Sequence, residues 1–150
     1  MYKKILMPTD GSASSDIAMT QGLELAKQLG AEVTFLHVLE NPLTAGYATP
    51  ETLPYAAQLY QDLREAGEAL LERVKARAGA LGVTAGTVLV EYHDPVQAIH
   101  EAEADHDLVV MGTHGRRGFN RWMFGSVAEG AVRRSSKPFL LVRAPDTEGS

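Results

Sequence analysis

Leu108-Val109-Val110-Met111-Gly112-Thr113-His114-Gly115, followed after nine residues by Gly125-Ser126-Val127-Ala128-Glu129, is the stretch that decides how this chain folds. Four apolar residues in a row, without polar alternation, suit a strand buried on both faces, as in a parallel sheet. Ser126 to Glu129 has the form of a capping box at a helix start. Between them lies a loop punctuated by glycine. A strand, a glycine loop and a helix N-terminus make a cradle for an anion. Glycine lets the backbone approach without a Cβ in the way, and the first turn of a helix offers unpaired N–H groups.

Around this stretch, strands and helices alternate. Lys4 to Met7 reads as a first strand, closed by the turn residues Pro8-Thr9-Asp10-Gly11-Ser12. Ala18, Gly22, Leu25, Ala26 and Leu29 share one face of a helix that Gly30 is placed to end. Val33 to Val38 is a second strand, and Asn41 to Tyr55, with three prolines and a glycine, a long irregular loop. Leu59, Leu63, Ala66, Leu70, Val74, Ala78 and Leu81 recur at helical spacing and are assigned to the core, with Gly82 as the stop. Thr87 to Val90 is a third strand. Asp94-Pro95-Val96-Gln97 then opens a helix with a capping aspartate and proline at its first position. Leu108 to Met111 is the fourth strand, Ser126 to Ser135 the last helix and Pro138 to Val142 the fifth strand; a tail from 145 to 150 is expected to be disordered. The pattern predicts one α/β domain, residues 1–144: an open, Rossmann-like parallel sheet of five strands, helices on both faces.

In such sheets ligands sit beyond the carboxyl ends of the strands, where the strand order reverses. Asp10 leaves the first strand at that end and the glycine loop leaves the fourth, so if these strands are neighbours one crevice collects both.

Composition narrows the classes of function. The chain has 150 residues, no cysteine and a net charge of −5. Disulfide frameworks and thiolate chemistry are excluded, and nonspecific nucleic-acid binding is disfavoured. No run approaches the ~18 apolar residues of a membrane span, so the expectation is a cytoplasmic protein without membrane or nucleic-acid partners. Positive charge is nevertheless concentrated: Arg116, Arg117, Arg121, Arg133, Arg134, Lys137 and Arg143 are seven of fourteen basic side chains, with only Glu129 acidic among them. Arg133, Arg134 and Lys137 suit the C-terminal end of a helix dipole. Arg116, Arg117 and Arg121 lie in the loop, where that account does not apply.

Gly112-x-x-Gly115, nine residues, then Gly125-Ser126 resembles the nucleotide-binding signature of the universal stress protein family, in its ATP-binding branch. Tyr2-Lys3-Lys4-Ile5-Leu6, Pro8-Thr9-Asp10-Gly11-Ser12, Leu36-His37-Val38, Asp107 to Gly112 and Ser136-Lys137-Pro138 extend the resemblance over nearly the whole chain. It implies strand order 3-2-1-4-5. It implies that Gly112, Gly115, Gly125, Ser126 and Val127 meet the phosphates or ribose, that Pro8, Thr9, Asp10 and Val38 enclose base and sugar, and that Met111 joins the set. His114 would face ribose or solvent, and Arg116 would clamp phosphates. The cofactor implied is ATP, with Mg²⁺ held through its phosphates. A homodimer through Phe139 to Val142 and an unidentified regulatory protein partner are also implied.

Each residue has a plainer reading. Asp10 in Asp-Gly-Ser is ordinary turn chemistry, and Ser126 can be only a cap. His93, His100 and His106 read as surface residues beside a helix, His37 as one held beside the second strand, and Trp122-Met123-Phe124 as packing for the loop. No histidine has partner ligands at metal spacing, and no catalytic residue is assigned. The P-loop lysine of Gly-x-x-x-x-Gly-Lys-Ser/Thr is absent, so any ATP hydrolysis or autophosphorylation is expected to be slow. A nucleotide-dependent regulatory protein is therefore the leading reading. The alternatives are a kinase or nucleotidyl transferase on the same site, and a phosphoacceptor receiver domain with Lys137-Pro138 before its last strand.

Overall fold

Strands β1 (Lys4–Pro8), β2 (Glu32–Leu39), β3 (Ala85–Glu91), β4 (Leu108–Gly112) and β5 (Phe139–Val142) pair in parallel in the order β3-β2-β1-β4-β5. The computed structural model describes residues 1–41, 49–91, 93–113 and 126–143. The helices are α1 (Ala13–Leu29), α2 (Ala56–Ala80), α3 (Pro95–Ala102) and α4 (Ser126–Arg134). The order differs from the 2-1-3-4-5 of receiver-like folds, which removes that alternative.

Apolar residues alternate between two cores because successive strand side chains face opposite ways. Ile5, Met7, Val33, Phe35, Val110 and Val142 pack with α1 and α2. Leu6, Leu36, Val38, Val109 and Met111 pack with α3 and α4. The sheet is thus covered on both faces, as its unalternating strands require. β3 departs from this: as an edge strand it leaves Val88 exposed, while Val90 still packs toward α3.

Helix ends follow local chemistry. Ser12 caps α1, its Oγ accepting Ser15 N–H at 3.1 Å, and Gly30, at φ 65°, closes it. Asp94 Oδ2 accepts Gln97 N–H at 3.0 Å, with Pro95 opening α3. The reciprocal bond of a capping box, from Asp94 N–H to the Gln97 side chain, is not made. Gln97 Nε2 donates to Glu101 instead, and Asp94 N–H goes to His93 Nδ1 at 2.9 Å.

The stripe assigned to α2 is out of phase in places. Leu70, Val74 and Ala78 are buried as expected, Leu59 and Leu63 half-buried, but Ala66 and Leu81 are exposed, and Gly67 and Leu71 lie in the core. Glycine has no hydropathy signal, so the pattern passed over Gly67 for its neighbour. In the predicted loop, Leu53–Tyr55 forms one 3₁₀ turn; its residues 42–48 lie outside the described residues.

Candidate functional site

β1 and β4 are neighbours, with Ile5 opposite Leu108 and Leu6 opposite Val109. From β1 the chain builds β2 and β3 to one side, then crosses to build β4 and β5 on the other. The order therefore reverses between β1 and β4, and in open α/β sheets the space beyond the carboxyl ends at such a point is where ligands bind. Pro8, Thr9 and Asp10 leave β1 there, Gly112 and Thr113 leave β4, and Val38 lies near the end of β2.

The turn after β1 is held by its own polar groups. Asp10 is 2 % exposed, and its Oδ1 accepts Ser12 N–H at 2.9 Å. Gly11, at φ 80°, turns the chain into α1, and its N–H lies 3.3 Å from Thr9 Oγ1. Ser15 Oγ donates to Thr9 Oγ1 at 2.7 Å. Thr9 N–H donates to Leu36 O at 2.9 Å, tying the turn to β2. Thr9 itself is 1 % exposed, so its hydroxyl serves the turn.

Val38, Met111 and Val127 meet in one apolar cluster with Leu36, Ile99 and Ala128. Their side chains belong to the core between the sheet and α3 and α4, and this cluster seats the first turn of α4 beside the ends of β2 and β4. Ser126 is the first residue of α4 and is exposed. Glu129, expected to reach back toward it, has Oε1 2.9 Å from Arg133 Nη2. His114, Gly115, Arg116, Arg117, Arg121, Gly125 and the Trp122–Phe124 patch lie outside the described residues.

In the sequence Gly112 offers an open approach for an anion. Its missing side chain also has a use within the protein, because the space a Cβ would fill is taken by Ser14 at the start of α1.

Ser12 was legible as a turn residue, but sequence reasoning missed Ser15, buried and bonded to Thr9, and Ser14, buried against Gly112. The run Ser12-x-Ser14-Ser15 at a helix start was the available signal. His37 is held more tightly than expected, buried with Nδ1 2.8 Å from Thr9 O. The other described histidines, His93, His100 and His106, are half-buried: His93 Nε2 lies 3.2 Å from Glu101 Oε1, His100 Nδ1 3.5 Å from Glu103 Oε1, and His106 Nδ1 2.8 Å from Ala102 O. Hydrogen bonds from Gln97, and then from His93, hold the Glu101 carboxyl below its ordinary range. At the end of β3, Tyr60 donates to Glu91 at 2.8 Å and, with Arg64, holds that carboxyl low as well. Among the described residues, no three His, Asp or Glu side chains gather as a metal site, and no helix is long and apolar enough to cross a membrane.

Residues 1–143 match the model of the universal stress protein family. Universal stress protein MJ0531 of Methanocaldococcus jannaschii is 34% identical over 149 residues, covering 99% of this chain and 86% of that protein. The structure of MJ0577 from the same organism superposes with a TM-score of 0.80 at 28% identity, covering 98% of this chain and 99% of that one. A universal stress protein solved in complex with cAMP superposes with a TM-score of 0.66 at 25% identity, covering 95% and 97%.

Proposed function

The chain belongs to the universal stress protein family, and from that premise we propose that it is a regulatory protein that binds ATP in the crevice between β1 and β4. The observation that carries this is the convergence of a buried carboxylate, Asp10, with the glycine-ended strand β4 and the first turn of α4 at one switch point. A carboxylate only accepts hydrogen bonds, and adenine and ribose supply the donors. The free N–H groups of a helix start suit phosphate. The cAMP complex of a similar protein supports the adenine-nucleotide class.

In this reading Pro8, Thr9, Asp10 and Val38 frame base and sugar. Met111, Gly112, Gly115, Gly125, Ser126 and Val127 frame ribose and phosphates, His114 faces ribose, and Arg116 pairs with the phosphate tail. Mg²⁺ would come with the nucleotide, held through its phosphates. Occupancy of the glycine loop would change the surface offered to a protein partner, in the cytoplasm. The missing P-loop lysine favours holding ATP over turning it over.

A homodimer through β5 is part of the proposal. Leu140 and Leu141 are 38% and 40% exposed on this edge strand, and Val132 of α4 is 41% exposed. An apolar edge with unpaired backbone groups calls for cover.

Calorimetric titration with ATP tests the function, on the parent and on Gly115→Val. Saturable binding by the parent and its loss in a folded variant would support the site; no binding by the parent would return the loop to a structural role.

A further inference from the structure

We infer that His37 and Gly67 form a positioning pair that sets the nucleotide affinity of the crevice by fixing the Thr9–Asp10 peptide. The inference rests on the adenine-nucleotide reading above. His37 lies on β2, on the face turned toward α2, and its ring is buried. Its Nδ1 is 2.8 Å from Thr9 O. A carbonyl only accepts, so Nδ1 carries the proton and donates.

That bond completes the hold on Thr9. Its N–H donates to Leu36 O, and its hydroxyl receives Ser15 Oγ–H and Gly11 N–H. The carbonyl is the remaining polar group, and it belongs to the same peptide plane as Asp10 N–H. Without the imidazole this buried acceptor loses its donor. The peptide then keeps the long bond from Asp10 N–H to Ser15 Oγ, 3.4 Å, and can tilt about it, carrying Asp10 with it.

Gly67 gives the ring its place. A Cβ on Gly67 would stand 2.7 Å from His37 Cδ2 and 3.1 Å from Nε2. Both atoms lie in a rigid ring whose other side is tied to Thr9, so the ring cannot yield without breaking the bond. Glycine inside a 25-residue helix weakens the helix, and the close approach of His37 accounts for its presence. By this route the seating of α2 on the sheet reaches the nucleotide crevice, although neither residue meets the ligand.

The test is ATP titration of the whole chain with thermal melting alongside, for the parent, His37→Asn, His37→Gln, Gly67→Ala and Gly79→Ala. Asparagine sets an amide N–H where Nδ1 stood, and affinity is expected to stay within about threefold of the parent. Glutamine reaches the Nε2 position instead; it and Gly67→Ala are expected to lose about tenfold or more, the loss of one directed hydrogen bond. Gly79, with nothing within 4 Å of its Cβ position, is the control on the same helix and is expected to bind as the parent does. Folded His37→Gln binding as tightly as His37→Asn, or Gly67→Ala binding as tightly as Gly79→Ala, would overturn the pair. Amide hydrogen exchange at Gly11 and Ser12 without nucleotide gives a second readout, expected to be faster in His37→Gln and Gly67→Ala than in His37→Asn. It judges the pair even if the parent fails to bind ATP, an outcome that would refute the nucleotide reading itself. Equal exchange in all the variants would refute the positioning.

Discussion

Gly112 and Ser14 are packed so closely that a Cβ on Gly112 would stand 2.7 Å from Ser14 Oγ and 2.9 Å from Ser14 O. The second of these atoms is backbone at the start of a 17-residue helix, which cannot move aside alone. Gly112→Ala is therefore expected to destabilise the nucleotide-free protein by roughly 1–3 kcal/mol, the ordinary cost of overpacking a well-filled contact. Denaturant unfolding without ligand measures it. An unchanged midpoint would leave Gly112 to the ligand alone.

Asp94 caps α3 through one bond to Gln97 N–H. Asp94→Ala is expected to cost about 1 kcal/mol, whereas Asp94→Asn, which keeps an acceptor oxygen, should cost a few tenths at most. Chemical denaturation of both variants checks the ranking, and equal losses would place the effect in the charge and not in the cap.

Asp107 ties β1 to β4 at the end of the sheet away from the crevice, its Oδ2 accepting Lys3 N–H at 2.9 Å and Lys4 N–H at 3.0 Å. The Lys3 bond, then the Lys4 bond, hold its carboxyl below the ordinary 3.8. A carboxyl lowered on folding stabilises the fold above its unfolded value and loses that contribution as pH falls through the folded one. The stability difference between the parent and Asp107→Asn should thus be full at neutral pH and shrink below about pH 4. Urea unfolding across about pH 2.5 to 7 tests this. A difference independent of pH would remove the two backbone bonds as its cause.

The exposed apolar pair Leu140 and Leu141 on β5 leads to a prediction about assembly. Light scattering at micromolar concentration should give a dimer for the parent, and Leu141→Lys should shift it to monomer, because a charge on an edge strand opposes pairing. A monomeric parent would overturn the dimer.

Much of the fold was legible because its signals are local. Unbroken apolar runs marked the strands, Gly30 and Asp94 marked helix ends, and the glycine spacing drew attention to the close of β4. Asp10 was legible through its place after a strand together with the family resemblance, since Asp-Gly-Ser by itself reads as a turn. The rest depends on contacts between residues far apart in the chain. Nothing near Gly67 announces that His37 lies beneath it, and nothing near Gly112 announces Ser14. The hold on Thr9 was not legible because its partners, Leu36, His37 and Ser15, come together only when β1, β2 and α1 do. A periodic reading of α2 fails at Gly67 for the same reason: what buries that position is the neighbour's shape.

The most direct test of the central claim is an amide NMR titration of the isotopically labelled full chain with ATP. Shifts are expected to concentrate at Asp10, Gly11, Ser12, Val38, Gly112, Thr113 and Val127, around the carboxyl ends of β1, β2 and β4 and the start of α4. Lys3, Lys4 and Asp107, at the opposite end of the sheet, should stay in place. No saturable shifts up to about 1 mM ATP, the weak end of specific binding, or shifts centred away from the β1–β4 crevice, would contradict it.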